Sequence, residues 1–173
     1  MKIILVRHGE SEGNIKHLPQ ITSDTSLTEE GIKQAKEVAK KLQEFNISKI
    51  LCSDMLRAKQ TCKEYLNLKS DIESIEDSRL REIYRVIIGG PEREGTPEDR
   101  FEKDKARAEE IFNEILSNDE DIMIFAHGNI IRYFISRALN IDPKELWEKI
   151  NLSYCSISIL KKKDGKFELE IEA

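Results

Sequence analysis

The sequence predicts an α/β protein, a three-layer α/β/α sandwich around a mainly parallel central sheet. Short apolar, β-branched runs recur at residues 2–6, 47–52 and 121–126, each continuous enough for a strand buried on both faces. Stretches of helical periodicity separate them. A strand–helix–strand alternation of this kind needs crossover connections, and so a sheet covered on both sides.

The elements follow in order. Residues 2–6 form the first strand, and the polar stretch to residue 26, with Gly9, Gly13, Asn14 and Pro19, reads as a loop with about one helical turn. Thr28 is a hydroxyl N-cap with Glu29 and Glu30 in the first turn, where acids complement the helix dipole. Ile32, Ala35, Val38, Ala39 and Leu42 then recur at helical spacing, so one face of residues 29–44 packs inward. A second strand at 47–52 leads to Ser53-Asp54, which should cap a helix over residues 55–65. A third strand is expected over residues 71–75. Residues 79–99 show no steady period and contain Gly89-Gly90-Pro91 and Gly95-Thr96-Pro97; a loop of that length points to function. A long polar helix over residues 97–116 follows, with Pro97 near its first turn. Then come a buried strand at 121–126, a helix from His127-Gly128-Asn129 to about Leu139, and a short helix from Asp142-Pro143 to Lys149. Residues 154–160 and 166–171 alternate as a hairpin around Asp164-Gly165. No repeat, low-complexity tract or linker interrupts the 173 residues, which read as a single domain over 1–173.

Composition narrows the partners. The chain carries 28 Lys+Arg against 33 Asp+Glu, a net charge of −5, and no basic stripe, which argues against nucleic acid. No apolar run approaches the roughly 18 residues of a membrane span. The N-terminal apolar run meets Arg7, His8 and Glu10 too early for a secretory core. Cys52, Cys62 and Cys155 are odd in number without C-x-x-C spacing, so free thiols in a reducing cytoplasm are expected. Three histidines without an H-x-x-x-H pair give no metal site, and no cofactor is expected.

Three strand ends deliver polar residues where the chain leaves the sheet: Arg7-His8-Gly9-Glu10, Ser53 with Arg57 one turn onward, and His127-Gly128. Ligands of open α/β sheets sit at the carboxyl ends of the strands, so these segments can converge. Arginine forks suit phosphate oxygens, and helix N-termini after Ser53 and His127 add N–H donors. Taken singly, a histidine after a buried strand is usually structural, and Arg7 and Arg57 read as ordinary surface or ion-paired arginines. Their joint placement makes an anion site the competing reading, with histidine as the available nucleophile.

V-R-H-G-E at residues 6–10, L-T-E-E-G at 27–31, S-D-M-L-R-A-K-Q-T at 53–61, L-R-E at 80–82 and A-H-G-N-I-I-R at 126–132 keep an order that resembles the histidine phosphatase superfamily, with its phosphoglycerate mutase-like fold. The resemblance implies that His8 attacks phosphorus and that Arg7, Arg57 and His127 bind the phosphoryl oxygens. Asn14 would add a contact, and Glu82 would protonate the leaving oxygen and then activate water. After Glu82 the sequence departs from the common pattern, so Glu92 or Glu94 is the alternative acid. Ser11, Arg81, Tyr84, Arg85 and Asn129 are candidates for a substrate rim, with Arg79 and Arg93 as further basic residues there. For Ser11 and Glu10 a structural part in the loop is the equal alternative, and His17 is expected to be an exposed loop residue. The implied function is metal-independent phosphatase action on phosphorylated small molecules. A phosphoprotein substrate is the next reading, because residues 127–160 are similar to mitochondrial mutase-like protein phosphatases. Mutase chemistry follows, since 173 residues leave little room for the enclosing insertions of the mutases proper. A non-catalytic phospholigand-binding domain is the remote alternative. The terminal hairpin leaves an edge for a homodimer.

Overall fold

The computed structural model describes residues 1–69, 71–90 and 98–172. Six strands, β1 (Lys2–Arg7), β2 (Lys49–Cys52), β3 (Ser74–Glu76), β4 (Ile122–Ala126), β5 (Ile157–Lys163) and β6 (Lys166–Glu172), form one sheet in the order β3-β2-β4-β1-β5-β6. The first four are mutually parallel, β5 runs antiparallel to β1, and β6 antiparallel to β5. The helices are α1 (Glu12–Ile15), α2 (Glu29–Leu42), α3 (Leu56–Leu66), α4 (Glu98–Asn118), α5 (Gly128–Leu139) and α6 (Pro143–Lys149).

The continuous apolar runs are explained by two cores, one on each face of the sheet. Ile3 and Leu5 of β1, with Ile122, Ile124 and Ala126 of β4, pack against α4 and α5. Ile4, Val6, Met123 and Phe125 point the other way, onto α2 and α3. Successive side chains of a strand alternate faces, so a strand covered on both sides has no polar position to spare. Each of these larger apolar side chains, from Val to Phe, contributes about 1.5–3 kcal/mol when fully buried.

Register then brings the strand ends together. Val6 lies opposite Phe125, and Cys52 opposite the same Phe125 across β4. The ladder continues one residue past the strands: His8 N–H donates to the Ala126 carbonyl at 3.1 Å, and Ser53 N–H to that of Phe125 at 2.9 Å. Arg7-His8, Ser53 and His127 therefore leave the sheet side by side.

Several boundaries differ from expectation for identifiable reasons. The helix after β2 starts at Leu56 with Met55 in the N-cap position and no side-chain cap of its own. Ser53 is occupied by His127, and Asp54 by Arg81. The cap comes from far along the chain, as Leu56 N–H donates to Asp24 at 2.7 Å. β3 starts at Ser74, not residue 71, because a turn closes from Ile72 N–H to the Lys69 carbonyl. β5 starts at Ile157, since Cys155 sits at φ 56° and Ser156 N–H turns back to the Ser153 carbonyl. At the hairpin, Asp164 and Gly165 both have positive φ, as the favoured two-residue turn requires.

Up to residue 90, the segment after β3 is more ordered than its lack of period implied. It holds 3₁₀ turns at Ser78–Leu80 and Arg85–Ile88. The second ends on Gly89 at φ 73°, where a Cβ would lie 2.4 Å from Lys144 Cα, so close packing on α6 demands glycine there. Pro97, Glu92, Glu94 and Arg93 lie outside the described residues.

Candidate active site

His8 is buried at the end of β1. Its Nδ1 is 2.7 Å from the Gly9 carbonyl, which can only accept, so Nδ1 carries the ring proton. On the other side Arg57 Nε, which can only donate, points at His8 Nε2 at 3.2 Å. The imidazole is therefore neutral with its lone pair on Nε2. Burial, then the Arg57 and Arg7 charges, hold its pKa well below the usual imidazole range. The loop after β1 is pinned from α3, where Thr61 accepts from Gly9 N–H and itself donates to the Arg57 carbonyl. It is also pinned from α2, as a Cβ on Gly31 would stand 2.0 Å from the Glu10 carbonyl oxygen.

Arg57 is fully buried in the first turn of α3. Beyond His8, its Nη1 donates to the Ser23 carbonyl at 3.0 Å and its Nη2 to that of Gln20 at 2.6 Å. Arg7 donates Nη1 to the Leu152 carbonyl and lies 4.4 Å over the Tyr154 ring, while its Nε is buried without a partner. His127 stands edge-on to His8 with ring centroids 5.1 Å apart. Its Nε2 is 2.8 Å from Ser53 Oγ, and its Nδ1 is buried without a partner. Burial first, then Arg57 and His8, depress its pKa as well.

Glu82 is placed by a helix terminus. Its Oε1 accepts from the N–H groups of Ile83, Asn129 and Ile130 at 3.0–3.2 Å, the latter two opening α5. Burial nevertheless raises its pKa, and outweighs the opposing pull of Arg57, those backbone bonds and Arg7. Arg107 of α4 clamps the preceding backbone by donating to the carbonyls of Arg79, Arg81 and Glu82. Arg7 and Glu82 also line a cavity of about 470 Å³, together with Asn14, Tyr84, Arg85 and Asn129. Among the described residues no group of three or more His, Cys, Asp or Glu could hold a metal ion, and no helix is long and apolar enough to cross a membrane. Two guanidinium groups, two histidines of lowered pKa and one carboxyl of raised pKa form a cluster with the charge and the donors to receive a tetrahedral oxyanion.

The sequence profile of the histidine phosphatase superfamily (branch 1) matches residues 3–172. This chain belongs to the histidine phosphatase superfamily. Within the superfamily, the mitochondrial serine/threonine-protein phosphatase Pgam5 of Drosophila mojavensis is 35% identical over 172 residues, covering 91% of this chain and 57% of that protein. The Drosophila ananassae protein of the same name is 37% identical with the same coverage. The chain thus spans little more than half the length of these relatives. The alpha-ribazole phosphatase from Shigella flexneri shares the fold at a TM-score of 0.83 and 20% identity, over 99% of this chain and 95% of that one. A variant phosphoserine phosphatase from Entamoeba histolytica, in complex with phosphoserine, aligns at a TM-score of 0.76 and 25% identity, over 97% of this chain and 94% of that one.

In this member of the superfamily the structure brings Arg7, His8, Arg57, Glu82 and His127 together, and places Tyr84, Arg85 and Asn129 on the cavity wall. Two rim candidates are corrected. Ser11 is fully buried as the N-cap of α1, exchanging hydrogen bonds with Asn14 in a capping box. Arg81 is held in a two-pronged ion pair with Asp54 and does not line the cavity. Arg79 is likewise engaged, by Asp77, Glu110 and Glu114. Asn14 does line the cavity, but its amide oxygen is committed to Ser11, which leaves only its NH₂ end for an anion. Glu10 accepts from Thr28 Oγ1 at 2.8 Å, the structural alternative. His17 is exposed as expected, yet it also lines the cavity. Sequence reasoning missed Arg107, Arg132 and Trp147. Arg107 pairs with Asp104 on its own helix and reaches the site through backbone carbonyls, which leave no sequence signal, whereas Arg132 closes the A-H-G-N-I-I-R motif.

Proposed function

We propose that this chain hydrolyses phosphomonoesters through a phosphohistidine on His8, without a metal ion. The observation that carries the reading is the fixed tautomer of His8, whose Nδ1 is tied to Gly9 while a lone pair on Nε2 faces Arg57. In the first step Nε2 bonds to phosphorus as the bond to the leaving oxygen breaks, and protonated Glu82 gives that oxygen its proton. Glu82 Oε1 is taken by backbone donors, so Oε2 is the oxygen for transfer. Arg7 and Arg57 neutralise the equatorial oxygens, and the unpartnered His127 Nδ1 is available as a donor when Ser53 Oγ donates to Nε2. In the second step water attacks phosphorus while ionised Glu82 takes its proton, and His8 leaves as neutral imidazole with inorganic phosphate as product.

Small phosphomonoesters fit the cavity of about 470 Å³ best. A phosphoprotein substrate is the second reading, favoured by the 35% identity to the Pgam5 serine/threonine-protein phosphatases. The three free cysteines support a reducing compartment such as the cytoplasm. The β6 edge supports a homodimer, which solution mass would test. The deciding experiment is hydrolysis of p-nitrophenyl phosphate in excess EDTA by wild type and by His8→Ala. Release of inorganic phosphate that survives the chelator and disappears in the variant is expected. Activity retained by a folded His8→Ala protein would overturn the proposal, and phosphoryl transfer to an acceptor alcohol in place of water would mark a mutase.

A further inference from the structure

Arg7 is held by a stretch of chain that has no part in the cavity wall. Residues 152–156, between α6 and β5, lie along the end of β1. Arg7 N–H donates to the Ser156 carbonyl at 3.2 Å, Cys155 N–H to the His8 carbonyl at 3.4 Å, and Arg7 Nη1 to the Leu152 carbonyl. Cys155 reverses the chain in the left-handed region at φ 56°, a conformation that persists in a non-glycine residue only where its surroundings fix it. Among these bonds stands Tyr154. Its ring covers the Arg7 guanidinium at 4.4 Å and lies tilted against His8, with centroids 6.4 Å apart.

The two residues open on different spaces. Arg7 lines the cavity of about 470 Å³, and its Nε is buried without a partner. Tyr154 does not line that cavity; it borders a separate hollow of about 130 Å³ against Gln34, Glu37 and Val38 of α2. The ring therefore meets Arg7 from outside the cavity and touches no ligand there. Burial disfavours the Arg7 cation, with Glu82 and then Tyr154 the opposing influences. An arginine free to sample rotamers loses that freedom when it grips an anion. One with a nitrogen on a carbonyl and a face on a ring has lost it already.

We propose that Tyr154 is a positioning residue for Arg7, its ring holding the guanidinium in the orientation that presents Nε to a phosphoryl oxygen. This deepens the phosphatase reading and rests on it for the phosphoryl group, but it is testable by the binding of inorganic phosphate alone.

Inorganic phosphate is titrated into wild type, Tyr154→Phe and Tyr154→Leu, with binding read from backbone amide resonances that also report the fold. Tyr154→Leu is expected to weaken phosphate about tenfold, the order of a lost desolvated cation–π contact. Tyr154→Met takes its place should that variant fail to fold. Tyr154→Phe keeps the ring and is expected to stay within about twofold of wild type. In an Arg7→Gln background the Leu substitution is expected to cost less than about twofold, whereas a residue that merely supports the fold would cost the same in both backgrounds. No binding by wild type, wild-type affinity in Tyr154→Leu, an equal loss in Tyr154→Phe, or a loss undiminished by Arg7→Gln would overturn the role. Wild type that binds phosphate with the expected pattern and hydrolyses no phosphomonoester would instead count against the phosphatase reading and leave the positioning role standing.

Discussion

Glu82 sits between opposing influences. Burial pushes its pKa up, while Arg57, Arg7 and three backbone N–H groups pull it down, and burial wins. Because the folded pKa is raised, the proton is held more tightly in the native state. Its favourable contribution is full below the unfolded carboxyl value and is lost as pH rises through the folded value. Glu82→Gln should therefore stabilise the protein at neutral pH while impairing catalysis, a pairing read from urea melts and kinetics on one preparation. Loss of the general acid should be selective. Hydrolysis of an alkyl phosphate should fall by about 10²–10⁴-fold. Phosphorylation of His8 by p-nitrophenyl phosphate, whose leaving group needs little protonation, should fall far less in a burst measurement. Equal loss for both would point to a positioning role for Glu82.

Elements here are held by partners distant in sequence, and that decides what could be read in advance. The strand ends were legible because an apolar run stopping at Arg7-His8-Gly9, or at His127-Gly128, announces both a buried strand and its exit. The hairpin was legible from Asp164-Gly165 set between two alternating runs. The start of α3 was not, because its cap is Asp24 from the preceding loop, 32 residues away. Nor could Ser11 and Arg81 be sorted from true rim residues, as their partners Asn14 and Asp54 are chosen by tertiary geometry. Asp24→Ala should cost about 0.5–2 kcal/mol, the usual range for a lost N-cap, with the loss visible in denaturant midpoints. Gly31→Ala tests the contact between α2 and the catalytic loop. A methyl 2.0 Å from the Glu10 carbonyl oxygen must push backbone aside, so about 1–3 kcal/mol of stability should go, together with much of the activity. Wild-type stability and activity in Gly31→Ala would show that α2 yields freely.

Two histidines of depressed pKa are buried in one cluster with two arginines, and that cluster shapes the pH dependence of the entire fold. Both folded-state pKa values are depressed below the ordinary 6.5. The stability they confer is present above that value and is lost as pH falls below it, when the unfolded chain takes up protons that the native state refuses. Each histidine should add a slope of about 1.4 kcal/mol per pH unit in that window. Between pH 7.5 and 5.5 a folded His127→Asn variant should lose roughly 1 kcal/mol less stability than wild type in urea unfolding. An unchanged pH dependence would mean that His127 carries its proton in the native state.

On the proposed route, the 2.7 Å bond from His8 Nδ1 to the Gly9 carbonyl also dictates an isomer. An imidazole can carry phosphorus on either nitrogen, and the two products differ in chemical shift and in lability. With Nδ1 occupied as a donor, only the Nε2 isomer can form, and the same bond keeps a proton on the distal nitrogen throughout the life of the intermediate. A phosphoprotein trapped by rapid quench in base should therefore show one phosphohistidine resonance, that of the Nε2 isomer.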